Sequence, residues 1–433
     1  MQTLLQLQSG ALKGTVSLKL SEGLAHFPRE IFELADTLEV LDLSRNELQE
    51  LPADFGRLKK LKILFCSDNL FTVLPEVLAD CPLLDMVGFK ANKIETIPPR
   101  SLNPHLRWLI LTNNYITELP KEIGLCSRMQ KLALAGNQLS SLPQELSNCR
   151  NLSLLRISAN RLKQLPDWLL SMPKLSWLAF SGNEFSVSHA TTPPQFIDWR
   201  ELDIQHVLGE GASGIIYKGV WNRYGETKDV AVKIFKGAVT SDGLPEDEMD
   251  TFITAGVHPG LVQLIGQIAG HSEEKKGLVM ELIAERFYNL GKPPNFDSCT
   301  RDVFTDGMKI TIGQALKIAT TIASVAGQLH SNGILHGDLY AHNTLIDDKG
   351  NTLFGDFGAA SFYEREDAKV ASALERIEVS ALGHLLDDLI FLCNETGAHP
   401  TIAKLKMLRD ISTAPDVSSR PNFHFLHGEL MNL

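Results

Sequence analysis

Apolar residues return along the first 190 positions with a period near 23, marked by a recurring asparagine. Asn46, Asn69, Asn92, Asn114, Asn137, Asn160 and Asn183 follow one another at steps of 23, 23, 22, 23, 23 and 23. Around Asn46 the apolar positions are Leu38, Leu41, Leu43, Leu48 and Leu51, closed by Pro52; around Asn160 they are Leu152, Leu155, Ile157, Leu162 and Leu165, closed by Pro166. Each period predicts one short strand, a turn at the asparagine, and a short helix or irregular arm. A single unit cannot bury its own leucines, whereas stacked neighbours share a continuous core. The asparagine amide can satisfy backbone groups in the turns, so losing one is expected to cost about 1–3 kcal/mol. The periodicity stops after Phe185, where residues 186–194 read SVSHATTPP, a polar and proline-containing break. Beyond it the pattern changes. Ile318, Ile322, Val325, Ala326 and Leu329 stand at steps of three and four and predict a long buried helix over 313–331. Residues 344–346 and 352–354 are apolar arms on either side of a glycine-containing turn and predict a β-hairpin.

The hairpin lies inside the stretch that carries the chemistry, residues 336–358, HGDLYAHNTLIDDKGNTLFGDFG. A hairpin returns the chain, so Asp356 comes back near Asn343, and a carboxylate with an amide oxygen suits a hard cation such as Mg²⁺. Asp338, 18 residues before Asp356, is placed to accept a proton. This equipment suits phosphoryl transfer, in which positioning and charge neutralisation do most of the work. Upstream, Gly209, Gly211 and Gly214 give GxGxxG between two strand patterns, where glycine lets backbone approach phosphates closely. No helix opens after it, which argues against a dinucleotide fingerprint. Lys233 ends the apolar run VAVK. A lysine in an apolar strand needs partners for its charge, and phosphates with a helix carboxylate would supply them.

The repeats follow LxxLxLxxNxLxxLP, the pattern of a leucine-rich repeat, and their Leu-Pro ending resembles the cytoplasmic class. The glycine loop, VAVK, His258-Pro259, HGDLxxxN and DFG, in this order, resemble the eukaryotic-type protein kinase fold over about residues 202–433. The expected architecture is an α/β leucine-rich-repeat solenoid over 1–190, a linker over 191–201, and a two-lobed α+β protein-kinase-like domain over 202–433. The resemblance implies an ATP-dependent kinase with Mg²⁺, in which Asp338 accepts the proton of the acceptor hydroxyl and Lys233 orders the phosphates. Glu248 best matches the lysine-pairing glutamate, with Asp250 the alternative. Asn343 and Asp356 would hold the metal. Leu208, Gly209, Glu210, Gly211, Gly214, Ile216, Ala231 and Lys233 would contact the nucleotide. Met280 would back the adenine pocket, and backbone groups of Glu281 and Ile283 would hold the adenine edge. Leu374-Glu375 stands at the family's Ala-Pro-Glu, which implies an ion pair from Glu375 to Arg420 of Arg420-Pro421-Asn422-Phe423. Glu378 falls where a buried aspartate opens the next helix.

The chain departs from the family pattern in informative places. His-Arg-Asp is here His336-Gly337-Asp338, which removes the usual partner of an activation-segment phosphate. Tyr340 stands where Ser/Thr kinases place a lysine, and His342 where tyrosine kinases place an arginine. Ser or Thr is the expected acceptor. His-Gly-Asp-Leu also resembles the aminoglycoside- and choline-kinase-type enzymes, which phosphorylate small molecules, and a non-catalytic pseudokinase scaffold is a third reading. The DFG triplet, the glycine loop and Arg420-Pro421 favour the protein-kinase reading.

Composition adds boundaries. The chain has 433 residues, 44% hydrophobic, with a net charge of −11, enough for two or more domains and unfavourable for nucleic-acid or anionic-membrane binding. No apolar run reaches a membrane span, and the start, MQTLLQLQSGALKG, does not read as a signal peptide; the expected compartment is the cytoplasm. Six scattered cysteines read as small buried thiols. On the concave face of the repeats, Phe65, Met86, Trp108, Ile110, Leu154 and Trp177 would form an apolar patch of the kind that marks a protein partner, which could be the chain's own kinase domain.

Overall fold

A computed structural model describes residues 2–186, 195–211, 213–237, 239–240, 242–394 and 399–433. The chain divides into two compact units, Met1–Met172 with Asn183–Phe185, and Pro173–Gly182 with Ser186–Leu433.

The first unit opens on a short helix, α1 (Leu4–Gln8), closed at its start by a capping box between Thr3 and Gln6. Then come three-residue strands, one per period: β1 (Ser17–Lys19), β2 (Val40–Asp42), β3 (Ile63–Phe65), β4 (Met86–Gly88), β5 (Trp108–Ile110), β6 (Lys131–Ala133) and β7 (Leu154–Arg156). These strands pair in sequence order; the next strand, β8 (Trp177–Ala179), belongs to the second unit. Neighbours pair in parallel at equivalent positions, as in Val40↔Ile63 and Met86↔Trp108. The middle residue of each strand, Leu41, Leu64, Val87, Leu109, Leu132 and Leu155 among them, points inward and is buried. On the opposite side the chain makes short 3₁₀ turns that begin after the repeat proline, such as Glu76–Asp80 after Pro75 and Gln144–Asn148 after Pro143.

The asparagines form a ladder that no single repeat could make. Asn137 Oδ1 accepts from the Ile116 N–H at 3.1 Å, and its Nδ2 donates to the Leu111 carbonyl at 2.9 Å and the Leu134 carbonyl at 2.8 Å. One amide thus serves three buried backbone groups, two of them in the preceding repeat. Asn137→Ala leaves all three without that partner, and the unfolding free energy of the repeat unit is expected to fall by about 1–3 kcal/mol. Urea unfolding followed by the exchange of repeat-strand amides reads this directly; an unchanged midpoint would remove the ladder as a source of stability. The residue before each asparagine turns the chain with positive φ, at Arg45, Asp68, Ala91, Asn113, Gly136, Ala159 and Gly182. Only two of the seven are glycine, so the strain of the others is tolerated in exchange for the side-chain ladder.

All six cysteines are buried. The Cys149 thiol lies 3.2 Å from the Ile123 carbonyl and that of Cys126 lies 3.4 Å from the Asn103 carbonyl, each one repeat back. Burial pushes Cys126 up to about 12, which makes it an inert packing group.

The concave apolar patch is narrower than the sequence implies. Met86, Leu154 and Trp177 are 1%, 5% and 1% exposed. Phe65, Trp108 and Ile110 stay half-buried. Strands about 4.8 Å apart let in-register side chains partly cover Phe65 and Trp108: the Phe65 ring lies where a Cβ on Gly88 would be, and the Lys131 ammonium sits 4.3 Å from the Trp108 ring; Trp177 is covered by the rings of Tyr340 and His384.

The second unit begins earlier than the expected linker ends. Residues 187–194 lie outside the described residues, but β9 (Phe196–Asp198) pairs in parallel with a strand far along the chain and is part of a sheet rather than a linker. Ile197 is fully buried, whereas its neighbour Phe196 is 62% exposed. Five more strands complete that sheet: β10 (Leu202–Glu210), β11 (Gly214–Arg223), β12 (Glu226–Phe235), β13 (Leu264–Ala269) and β14 (Gly277–Glu281), in the order β10-β11-β12-β14-β13-β9. Its core joins Ile197, Leu202, Val230, Val232, Ile268 and Val279. Helix α2 (Pro245–Ala255) lies between β12 and β13 in sequence. The remainder is mainly helical: α3 (Ile312–Ser331), α4 (Ala368–Leu392), α5 (Pro400–Ser412) and α6 (Phe423–Met431). Helix α3 carries the apolar spacing read from the sequence, with Ile318, Ile322, Val325 and Leu329 buried, and a capping box from Thr311 to Gln314 starts it. Short strands β15 (Tyr288–Asn289), β16 (Ile334–Leu335), β17 (Thr344–Ile346), β18 (Thr352–Phe354) and β19 (Ser361–Phe362) frame the chemistry-bearing stretch.

Candidate active site

Strand β12 brings Lys233 into the interior of the second unit. Val230, Ala231 and Val232 before it are buried, and Lys233 itself is 7% exposed. Helix α2 starts on Pro245, with Glu246, Asp247 and Glu248 in its first turn, where carboxylates suit the positive end of a helix. Glu248, rather than Asp250, turns inward and forms an ion pair with Lys233. Burial alone would lower the lysine, but the Glu248 and Asp356 carboxylates outweigh it and hold the ammonium above its ordinary value. Asp356 Oδ1 stands 3.7 Å from the same nitrogen.

Strands β17 and β18 form the expected hairpin, pairing Thr344↔Phe354 and Ile346↔Thr352. Its tight turn is fixed by Asp347, whose Oδ1 accepts from the backbone N–H of Lys349 and Asn351, both at 2.9 Å. Before the first arm, Asn343 Nδ2 donates to the Asp338 carbonyl at 3.0 Å and to Asp338 Oδ2 at 2.8 Å. After the second arm, Asp356 is held in the left-handed region with φ of 61°. His336 ties the two ends together: its Nε2 lies 3.2 Å from the Gly355 carbonyl and its Nδ1 accepts from the Asp338 N–H at 3.3 Å. Complete burial lowers the imidazole below its ordinary value and keeps it neutral. Phe357 packs 5.2 Å from His336 and stacks 4.6 Å from Phe252 of α2. One run of side chains therefore joins the Lys233 partner helix to the Asp338 loop.

These elements converge on one cleft of about 500 Å³. Leu208, Gly209, Gly211, Gly214, Ile216, Ala231, Lys233, Met280, Glu281, Ile283, Glu248, Asn343 and Asp356 all line it. Of the nucleotide-contacting residues expected from the sequence, Glu210 alone is turned elsewhere: it is not in the lining, and its carboxylate lies 2.6 Å from Lys236 Nζ.

A family model described as "Protein tyrosine and serine/threonine kinase" matches residues 202–381, and leucine-rich-repeat models match 37–58, 104–162 and 127–185. Residues 202–381 are a protein kinase domain that follows leucine-rich repeats. A probable serine/threonine-protein kinase of Dictyostelium discoideum is 31% identical over 165 residues, 37% of this chain and 9% of its own. Tyrosine-protein kinase Abl of Drosophila melanogaster is 33% identical over 181 residues, 40% of this chain and 10% of its own. Mouse leucine-rich repeat and calponin homology domain-containing protein 1 is 30% identical over 129 residues, 29% of this chain and 18% of its own. The chain thus spans less than a fifth of the length of each of these relatives. Among the described residues no helix is long and apolar enough to cross a membrane.

A kinase domain implies ATP and a divalent metal in general, and the cleft fits both. Leu208, Ile216, Ala231 and Leu345 give it apolar walls, and the open space around Gly209 and Gly211 leaves room for phosphates, since a Cβ there would touch nothing. Gly214 is a glycine for another reason: a Cβ would meet the Ile234 carbonyl at 2.6 Å. The Glu281 N–H already donates to the Gln263 carbonyl, so it is not available to an adenine. Asn343 and Asp356 are hard-oxygen donors. Among the described residues no group of three or more His, Cys, Asp or Glu could hold a metal by itself, so a cation here would share its ligands with phosphates.

The C-terminal half of the kinase domain corrects three expectations. Leu374-Glu375 lies inside α4 instead of before a helix, and so does Glu378. With leucine where the family has proline, nothing breaks the helix between Ala368 and Leu392. Glu378 still meets the Asp338 loop: its Oε1 accepts from the Gly337 N–H at 2.6 Å and its Oε2 lies 2.8 Å from His330 Nε2. The Glu375–Arg420 ion pair is replaced. Glu375 accepts from the Tyr363 hydroxyl at 2.8 Å, and Arg420, 1% exposed, donates to the carbonyls of Ala414, Arg376 and Pro173 at 2.9, 3.1 and 2.6 Å. Burial draws Arg420 down to about 10.

Sequence reasoning missed Asp302. Its carboxylate is fully buried and holds His342 twice, through the backbone N–H at 2.8 Å and ring Nδ1 at 2.7 Å. It belongs to no motif, and its distance from His342 in the chain left no signal.

Proposed function

We propose that this chain is an ATP-dependent protein kinase of the cytoplasm, acting on a protein hydroxyl in signalling, with Ser or Thr as acceptor and the repeats as a protein-recognition array. The observation that carries the reading is the convergence of Lys233–Glu248, Asn343 and Asp356 on one cleft, with Asp338, itself outside the lining, hydrogen-bonded to Asn343 beside it. Lys233, fixed and kept charged by Glu248, binds the α/β-phosphates. Asn343 and Asp356 would hold Mg²⁺, which supplies charge neutralisation on the transferred phosphoryl group. Asp338, oriented by the Asn343 amide, aligns the acceptor hydroxyl and takes its proton. The half-exposed residues Phe65, Trp108 and Ile110 form the array's candidate contact with a protein partner.

The test offers labelled ATP and Mg²⁺ with generic protein substrates and a panel of aminoglycosides and choline side by side. Label on protein serine or threonine is expected, lost in Asp356→Ala. Label on small molecules alone would move the chain to the small-molecule phosphotransferases. Label on tyrosine alone would reverse the acceptor assignment. ATP binding without transfer would favour a scaffold.

A further inference from the structure

The stretch between the DFG triplet and the next helix is unusually spare. Only residues 359–367 separate Gly358 from α4. Its two hydroxyl-bearing residues are buried and engaged: Ser361 is fully buried in β19, and the Tyr363 hydroxyl lies between Glu375 and the His330 carbonyl. A phosphate on either would have to displace these contacts, and Gly337 offers it no cation.

Another stretch of the second unit, Pro173–Gly182, meets the same elements. The Trp177 indole N–H donates to the Leu339 carbonyl at 3.0 Å, next to Asp338. Its ring stacks on Tyr340 at 4.3 Å and 6°, and on His384 of α4 at 5.1 Å and 21°. Ser361 Oγ accepts from the backbone N–H groups of Phe180 and Ser181 at 3.0 and 3.1 Å. Arg420 reaches the Pro173 carbonyl. Gly337 explains why this packing and an arginine exclude each other. Its φ is 73°, and a Cβ there would stand 2.6 Å from the Leu178 carbonyl and 2.7 Å from that of Ala359. The backbone of β8 occupies the space that a side chain at position 337 would need.

We infer that Pro173–Gly182, by sequence the end of the repeat series, is a built-in clamp that stands in for a phosphorylated activation segment, with Trp177 as the positioning residue of the Asp338 loop. It fixes the Leu339 carbonyl and Ser361 at once, so the loop bearing Asp338 and the strand after DFG share one support. Activity then needs no phosphate on residues 359–367. The inference rests on the phosphotransfer reading for its catalytic consequence but not for its structural one.

The experiment uses the full chain with Trp177→Ala and Trp177→Phe, measuring kcat and the KM for ATP, together with amide exchange over 336–343 and over β12. A misplaced catalytic loop is worth on the order of 10- to 100-fold in rate. Trp177→Ala is therefore expected to lose about that much kcat with its KM for ATP unchanged, because no residue of the clamp lines the cleft. Exchange should quicken over 336–343 and stay at the wild-type rate in β12. Trp177→Phe, which keeps a ring for Tyr340 and loses the indole N–H, should fall between the two, and it carries the test alone if the alanine variant does not fold. A higher kcat in either variant would overturn the inference by making the stretch an inhibitory cover. Unchanged kcat, or a matching loss of protection and of ATP binding throughout the kinase domain, would also overturn it. A wild-type chain that transfers no phosphate would sink the phosphotransfer reading alone, and the exchange comparison would still decide the clamp.

Discussion

Asp338→Asn is expected to lower kcat for phosphate transfer by about 10²–10⁴-fold, the usual contribution of a positioned proton acceptor, with ATP affinity preserved. Asparagine keeps the shape of the side chain and an oxygen that can accept from Asn343 Nδ2, the bond that orients Asp338 in the native chain. It removes the carboxylate's charge and with it the capacity to take a proton. The backbone contacts on either side, from Gly337 to Glu378 and from Asp338 to His336, do not involve the carboxylate, so the loop should hold its path. Steady-state transfer from labelled ATP, with nucleotide binding measured separately, checks this. Transfer at the wild-type rate would remove Asp338 from the chemistry.

The second large effect lies at the Lys233–Glu248 pair, and it separates stability from function. Both side chains are nearly dry, at 9% and 3% exposed. Removing one partner of such a pair strands the other, at a cost of about 3–5 kcal/mol. Lys233→Met is therefore expected to destabilise the second unit by about that amount and to abolish transfer. Adding Glu248→Leu removes the stranded carboxylate. Apolar replacements of a buried pair are often neutral in stability, so the double variant should recover most of the loss without recovering transfer. Because the chain has two units, the readout is amide exchange within β12 and β14, not a single melting temperature. Wild-type protection in Lys233→Met would show that the pair is solvated. Recovered transfer in the double variant would show that Lys233 does not serve the phosphates.

Much of this was legible in the sequence because it is written in local periods. The repeat of 23 dictates a parallel ladder one strand per unit, since leucines at fixed offsets can be buried only against equivalent leucines of the next unit. The Thr344–Ile346 and Thr352–Phe354 arms dictate a hairpin, and a hairpin brings Asp356 back toward Asn343. Glu248 was readable as the partner of Lys233 only to within two candidates, because a difference of two residues on a helix decides which face a carboxylate takes. What lay out of reach follows another logic. β9 joins the sheet beside β13, far along the chain, and the three residues Phe196–Asp198 carry no periodic signal of their own. Asp302 and His342 meet only in the fold. The resemblance pairs Arg420 with Glu375, but α4 runs on without a proline and points Glu375 at Tyr363.

The sequence by itself determined which groups the chain has and how far apart its local units lie: a ladder of asparagines, a lysine in a dry strand, and an aspartate and an asparagine on either side of Tyr340 and His342. It also determined that Gly337 replaces an arginine, though not why. Only the tertiary structure decided that, because the carbonyl of Leu178 fills the space beside Gly337 and the ring of Trp177 stacks on Tyr340. A period of 23 records that Trp177 sits on a strand of the series. Which surface that strand meets depends on the shape and free hydrogen-bonding groups of residues more than 160 positions away, and no local pattern encodes a complementarity of that range.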